Sequence, residues 1–157
     1  NFKNRNHILT MNIRKAQLAD VPQLNELFNE YRLFYKKEAD LEKSALFLKE
    51  RITNNESVIY VAESVHQKLT GFVQLYPLFS STRLCRLWLL NDLFVLPEFR
   101  GQQISVLLIN EAKKLAIDTD AVGLILETAK SNDIGNQLYP RTDFVLDEDH
   151  NYYYWDK

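Results

Sequence analysis

Arg100 and Gly101 are the residues whose types and place first point to chemistry. An apolar run of Leu93, Phe94 and Val95 precedes them, and from Ile104 the apolar residues Leu107, Leu108, Ala112 and Leu115 recur at helical spacing. This predicts a strand stopped by Pro97, a short basic turn, and a helix opening just after Gly101. The first N–H groups of a helix have no intrahelical partner, and here they open beside a fixed positive charge. Such a place suits a phosphate or pyrophosphate. A Walker-type phosphate loop is excluded, because no Gly-Lys-Ser/Thr follows the glycine, and a dinucleotide fingerprint is excluded because Gly101 stands alone here. On this stretch alone, an ordinary strand-turn-helix connection with Arg100 as a solvated charge stands level with the anion site. Downstream, Asn132 and Tyr139 read by themselves as a helix cap and a core aromatic.

These residues need elements to hold them. Residues 11–16 read as a short strand, and Asp20 as an N-cap before Pro22 predicts a helix with the stripe Val21, Leu24, Leu27, Phe28, Tyr31 and Phe34 or Tyr35. A second helix over 41–52 is expected to turn Leu46, Phe47 and Ile52 inward, and strands follow over 58–63, 70–79 and 85–95. After the central helix come a buried strand over 122–127, a short helix capped by Ser131 or Asn132 and ended by Pro140, and two last strands over 144–147 and 152–155. The order predicts an α/β fold, a mixed central sheet with helices on both faces.

Length and composition bound the function. The 157 residues fit one domain, taken as 11–157, and the only methionine, Met11, marks residues 1–10 as a leader or upstream remnant. A net charge of −2 gives no bulk attraction to nucleic acid. No apolar run approaches the ~20 residues of a membrane span. Cys85 is the single cysteine, so no internal disulfide forms and a cytoplasmic home is expected. His7, His66 and His150 are scattered, which argues against a metal site. The tail Asn151-Tyr152-Tyr153-Tyr154-Trp155, read as a strand, would bury one aromatic pair and expose the other beside an open sheet edge. A homodimer with this strand at its interface is therefore expected.

The run Val95-x-Pro97-Glu98-x-Arg100-Gly101-x-x-Ile104 before an apolar helix resembles motif A of the GNAT superfamily of acetyl-CoA-dependent N-acetyltransferases. Asn132, Gly135, Leu138, Tyr139, Asp143 and Phe144 resemble its motif B, with Gly135 in place of alanine and Asp143 in place of glycine. The resemblance covers the chain from Met11 to Trp155 and includes the order of its elements; in look it is closest to the histone/polyamine-type, small-amine members. It implies the GNAT fold and acetyl-CoA as co-substrate. The pyrophosphate would lie on Arg100, Gly101, Gln102, Gln103, Ile104 and Ser105, and the thioester carbonyl on backbone amides of the strand Leu93, Phe94 and Val95. Asn132 would meet the pantetheine or phosphate region, and Tyr139 would sit near the sulfur. The family's usual turn is Arg-Gly-x-Gly-x-Gly/Ala, whereas this chain has Gln103 and Ser105 at the small positions, which crowds the cradle or turns the glutamine away from the ligand.

Attack of an amine on a thioester needs a base for the ammonium, donors for the oxyanion and an acid for the thiolate. Tyr139 suits the acid, since a phenol with an ordinary pKa near ~10 keeps its proton at pH 7. Neither motif holds a nucleophile, so direct transfer is expected. Where polyamine-acetylating relatives carry a carboxylate, this chain has Asn91, and the base falls to Asp92, a tyrosine or a water chain. A strand-end charge with no role is the other reading of Asp92. Tyr31 and Tyr35 on the first helix, with Asn91, are expected to line the acceptor site, under a rim made acidic by Glu38, Asp40 and Glu42 or merely solvated there. A small primary amine is the expected partner. Acetylation of a protein lysine or N-terminus, and a non-catalytic CoA-binding sensor, are the alternatives.

Overall fold

Three antiparallel pairings and one short parallel pairing build the sheet. β1 (Asn12–Lys15) pairs with β2 (Val58–Glu63), β2 with β3 (Leu69–Ser80) and β3 with β4 (Cys85–Val95), all antiparallel, and β4 runs parallel to β5 (Leu124–Ile125). Strand order in space follows the chain, giving a mixed five-stranded sheet. In this computed structural model residues 10–157 are described, and the chain divides into two compact units, one ending at Leu126 and one from Glu127 to Lys157. The leader expected over residues 1–10 lies outside the described residues except for Thr10.

Two irregularities shape β4. Gln74 faces Asp92 while Leu75 faces Leu90, so Asn91 is an extra residue bulged out of the β3–β4 ladder. Pairing with β5 covers only Trp88 and Leu89. Beyond Leu89, among the described residues, β4 has a strand partner on one edge only.

Helices α1 (Val21–Phe34) and α2 (Leu41–Thr53) lie on one face of the sheet and α3 (Ile104–Asp118) on the other. Leu24, Leu27 and Phe28 of α1 and Leu48 of α2 pack on Ile59, Val61, Phe72 and Phe94. Val73, Leu75 and Leu90 have the opposite pleat and are buried with Ile104, Leu108, Ile109 and Ala112 of α3. At the far end of α3, the Trp88 Nε1–H donates to Thr119 Oγ1 at 2.8 Å.

Several expectations are corrected. Asp20 stands at the N-cap of α1 and ends a 3₁₀ turn (Leu18–Asp20), but its carboxylate makes no capping bond to the helix; it is taken by the Arg14 guanidinium at 2.8 Å and by the Gln17 N–H. Arg14 also binds Glu63, and holds both carboxyls below the usual carboxylate range. In α2 Phe47 and Ile52 pack partly buried against the core as expected, but Leu46 is 56% exposed and Leu48 fills the core in its place. β5 is two residues rather than six. Pro140 lies inside the helix α4 (Asp133–Arg141) rather than ending it. No strand forms over 144–147 or 152–155.

Candidate active site

The basic turn is built as a chain of constrained residues. A 3₁₀ turn (Pro97–Phe99) leads into Arg100, then Gly101 at φ 76° and Gln103 at φ 63°, ψ 11°, before α3 begins at Ile104. The first helical bond runs from Leu107 N–H to Gln103 O at 3.0 Å, and Gln103 makes no side-chain cap. The amides of Ile104, Ser105 and Val106 therefore have no helical acceptor. A Cβ on Gly101 would meet no heavy atom within 4 Å, so the turn is open above the glycine. Arg100 is fixed by its own strand: its Nε–H donates to Val95 O at 3.0 Å and the guanidinium lies 5.7 Å from the centre of the Phe94 ring. Uncapped amides, open space and an anchored guanidinium together fit a diphosphate.

Gln103 does not fill this space. Its backbone is left-handed, the region that favours glycine, and the side chain is exposed. Gln103→Gly should raise stability by about 1 kcal/mol, the lower end of what a left-handed non-glycine costs, and leave acetyl-CoA affinity equal or better. A thermal melt and a titration check both, and a large loss of affinity would make the glutamine a ligand.

Hydrogen-bond alternation on β4 decides which amides are available for a carbonyl. Leu96 N–H donates to Thr70 O of β3 at 2.9 Å. Phe94, two residues earlier, turns its amide to β3 as well, whereas Leu93 and Val95 turn theirs to the edge that β5 leaves open. Of the three residues expected there, Phe94 is thus corrected: its amide is committed to the ladder and its ring to the core.

On the α1 face of the same strand lies Asp92, 4% exposed, which removes its reading as a strand-end charge. Its carboxylate accepts from Gln74 Nε2 at 2.7 Å, from Asn91 Nδ2 at 3.0 Å and from the Tyr31 hydroxyl. Burial pushes its pKa up, against the pull of those three donors. A carboxyl raised in this way stabilises the fold only while protonated, so stability falls as pH rises from its unfolded value through its folded one. The Tyr31 ring lies against Phe28, Phe72 and Phe94 and edge-on to Tyr35 at 5.0 Å. The phenols of Tyr35 and Tyr76 are pushed up by burial and then by the Asp92 charge, that of Tyr76 to about 12. Tyr31, Tyr35, Asn91 and Asp92 are thus brought together as expected. Gln74 and Ser57 complete the group and were missed; the only signal was a polar residue on the apolar pleat of β3, in step with Phe72.

The acidic rim is not purely acidic. Glu38, Asp40 and Glu42 are exposed, but Lys36, Lys37 and Lys43 share their segment, and the Asp40 carboxylate is occupied in capping α2 through Lys43 N–H at 2.9 Å.

Within the second unit, Asn132 caps α4: its Oδ1 accepts from Gly135 N–H at 3.2 Å and its Nδ2 donates to Thr128 Oγ1 at 2.9 Å. Both ends of its amide are engaged, and a cofactor contact would compete with these bonds. Tyr139 is half-buried, edge-on to Phe144 at 5.8 Å, and Asp143 takes φ 64° where motif B has glycine. Among the described residues no cluster of His, Cys, Asp and Glu could hold a metal, and no helix is long and apolar enough to cross a membrane.

An open β4 edge with two outward amides, a bulge, and uncapped amides beside Arg100 at the next helix are features that fit a CoA thioester. The Acetyltransferase (GNAT) family pattern matches residues 22–144. The chain is 41% identical over 137 residues to the uncharacterized N-acetyltransferase YhfO of Bacillus subtilis (strain 168), a match spanning 87% of this chain and 91% of that protein. A crystal structure titled as a "probable acetyltransferase" superposes with a TM-score of 0.89 at 37% identity, over 94% of this chain and 98% of the other. An aminoglycoside N-acetyltransferase, AAC(6')-Iy, solved with CoA, shares the fold at a TM-score of 0.80 and 16% identity, over 98% and 99% of the two chains. The chain belongs to the GNAT family. It is an acetyl-CoA-dependent acetyltransferase with the GNAT fold.

Proposed function

We propose that residues 11–157 act as one acetyltransferase domain, carrying the acetyl group of acetyl-CoA to a primary amine of a small molecule, such as a polyamine, an amino acid or an amino sugar. The observation that carries this reading is the buried carboxylate of Asp92, set among Tyr31, Tyr35 and Asn91 on the α1 face, beside the open edge of β4. One carboxylate set among aromatic rings suits a single cationic amine better than an extended peptide. Acetyl-CoA supplies an activated acyl group and a thiolate leaving group. Arg100 and the amides following Gly101 hold its diphosphate. The Leu93 and Val95 amides polarise the carbonyl, Asp92 takes the proton from the amine, and Tyr139 donates one to the departing sulfur. No acyl-enzyme is required.

Arg100→Ala should weaken acetyl-CoA binding by roughly 1.5–3 kcal/mol, the scale of a charge-assisted hydrogen bond. Calorimetry reads this directly, and unchanged affinity would place the diphosphate elsewhere. The acceptor class is tested by kcat/KM across polyamines, amino acids, amino sugars, and lysine or N-terminal peptides. Small amines should lead; a peptide that outperforms them all would transfer the reading to protein acetylation.

Self-association belongs to the same proposal, though on a different basis from a terminal strand. Tyr152, Tyr153, Tyr154 and Trp155 are all more than half exposed, with the Tyr154 hydroxyl bonded to Glu127. Four neighbouring exposed aromatics are an association surface, and a homodimer is the state they favour. Light scattering at micromolar concentration should give twice the monomer mass; a monomer would refute it, and a dimer surviving deletion of 151–157 would relocate the interface.

A further inference from the structure

Gln74 is fully buried on the pleat of β3 that also carries Phe72. Burying a primary amide among apolar groups is costly unless both of its ends are bonded. Here both are. The Ser57 hydroxyl donates to Gln74 Oε1 at 2.8 Å, and Gln74 Nε2 donates to Asp92 Oδ2 at 2.7 Å. Ser57 is itself only 7% exposed. The β3–β4 register sets Gln74 directly opposite Asp92, at the last paired position before the bulge at Asn91. Gln74 and Asp92 are therefore held opposite each other by the sheet, and Ser57 stands at the residue just before β2.

The orientation of the amide matters. Reversed, Gln74 would present its carbonyl to the carboxylate, oxygen against oxygen. As placed, it can only donate to Asp92. An ionised carboxylate accepts about four hydrogen bonds. Gln74, Asn91 and Tyr31 fill three of those places, which leaves room for an incoming amine.

We propose that Gln74, oriented by Ser57, is a positioning residue for Asp92: it holds Oδ2 on the sheet side and favours the ionised carboxylate that receives the proton of the acceptor amine. The inference rests on the reading of Asp92 as the base. Burial raises the pKa of Asp92 and the Gln74 bond is the first of the three that oppose it, so loss of Gln74 would raise it further. The titratable groups around Asp92 are Tyr31 and Tyr35 on α1 and Tyr76 on β3, with Arg51 of α2 acting on Tyr76. Tyr35 and Tyr76 are pushed upward from the ordinary tyrosine value, so neither supplies an acid limb.

The test is the pH profile of kcat/KM for the full chain with acetyl-CoA and its best amine, in wild type, Gln74→Met, Ser57→Ala and Asp92→Asn. Gln74→Met should move the acid limb up by about one pH unit and lower kcat/KM on the limb roughly tenfold, the effect of one hydrogen bond to a charged group. Ser57→Ala, the milder change, should move it less and in the same direction, with acetyl-CoA affinity unchanged in both. A limb lost in Asp92→Asn yet unmoved in Gln74→Met and Ser57→Ala would overturn the inference and leave Asp92 as base. A wild-type limb surviving in Asp92→Asn would overturn the reading of Asp92, and the inference with it.

Discussion

Asp92→Asn should lower kcat by ~10²–10⁴-fold, the range a positioned general base contributes, and leave the acetyl-CoA Kd unchanged. The substitution keeps size and position but removes the acceptor of the proton. Three donors converge on this carboxylate from Gln74, Asn91 and Tyr31, so the asparagine Nδ2 must also face a donor where an oxygen was. That mismatch is confined to the α1 face, whereas the diphosphate cradle is built on the turn after β4 and the start of α3. Loss of kcat with retained Kd is therefore the signature of a base. In the wild type, kcat/KM should fall as pH falls through the Asp92 pKa, which burial holds above the ordinary carboxylate value. Stopped assays at saturating acetyl-CoA and amine, beside a calorimetric titration, check both parts. Full kcat in the variant would pass the role to a tyrosine or a water chain.

Tyr139→Phe should keep the fold and the acetyl-CoA affinity but lower kcat by something like the ~10²-fold of a general acid. The ring makes the packing contact with Phe144, and phenylalanine preserves it. Only the hydroxyl is lost, and with it the proposed proton donor to the leaving thiolate. Turnover retained at all pH values would leave that protonation to water.

What could be read from the sequence was what local chemistry decides. Pro97 and Gly101 punctuate the turn, and the apolar period from Ile104 fixes the helix start, so the basic turn and the start of α3 were located to the residue. The strand 85–95 and the cap at Asn132 were legible for the same reason. The state of Asp92 was not. Its burial depends on the bulge at Asn91 and on Gln74 lying opposite, which are facts of pairing between strands far apart in the chain. Asp20 was placed at the N-cap, but its capping bond was misread because Arg14 takes the carboxylate that would otherwise cap α1. Leu46 and Leu48 stand two places apart in a weak helical pattern, and the core chose Leu48. The aromatic tail has strand-like residues, but propensity forms no strand without a partner to pair with, and all four rings remain in the open.

Direct attack on the thioester, with Asp92 receiving the proton, requires acetyl-CoA and amine to be bound together. Initial rates of CoA thiol release, with acetyl-CoA and the best small amine both varied, test this most directly. Double-reciprocal lines that intersect are the predicted result. Parallel lines would reveal an acyl-enzyme that the site has no nucleophile to form, and thiol release independent of every amine would contradict the account altogether.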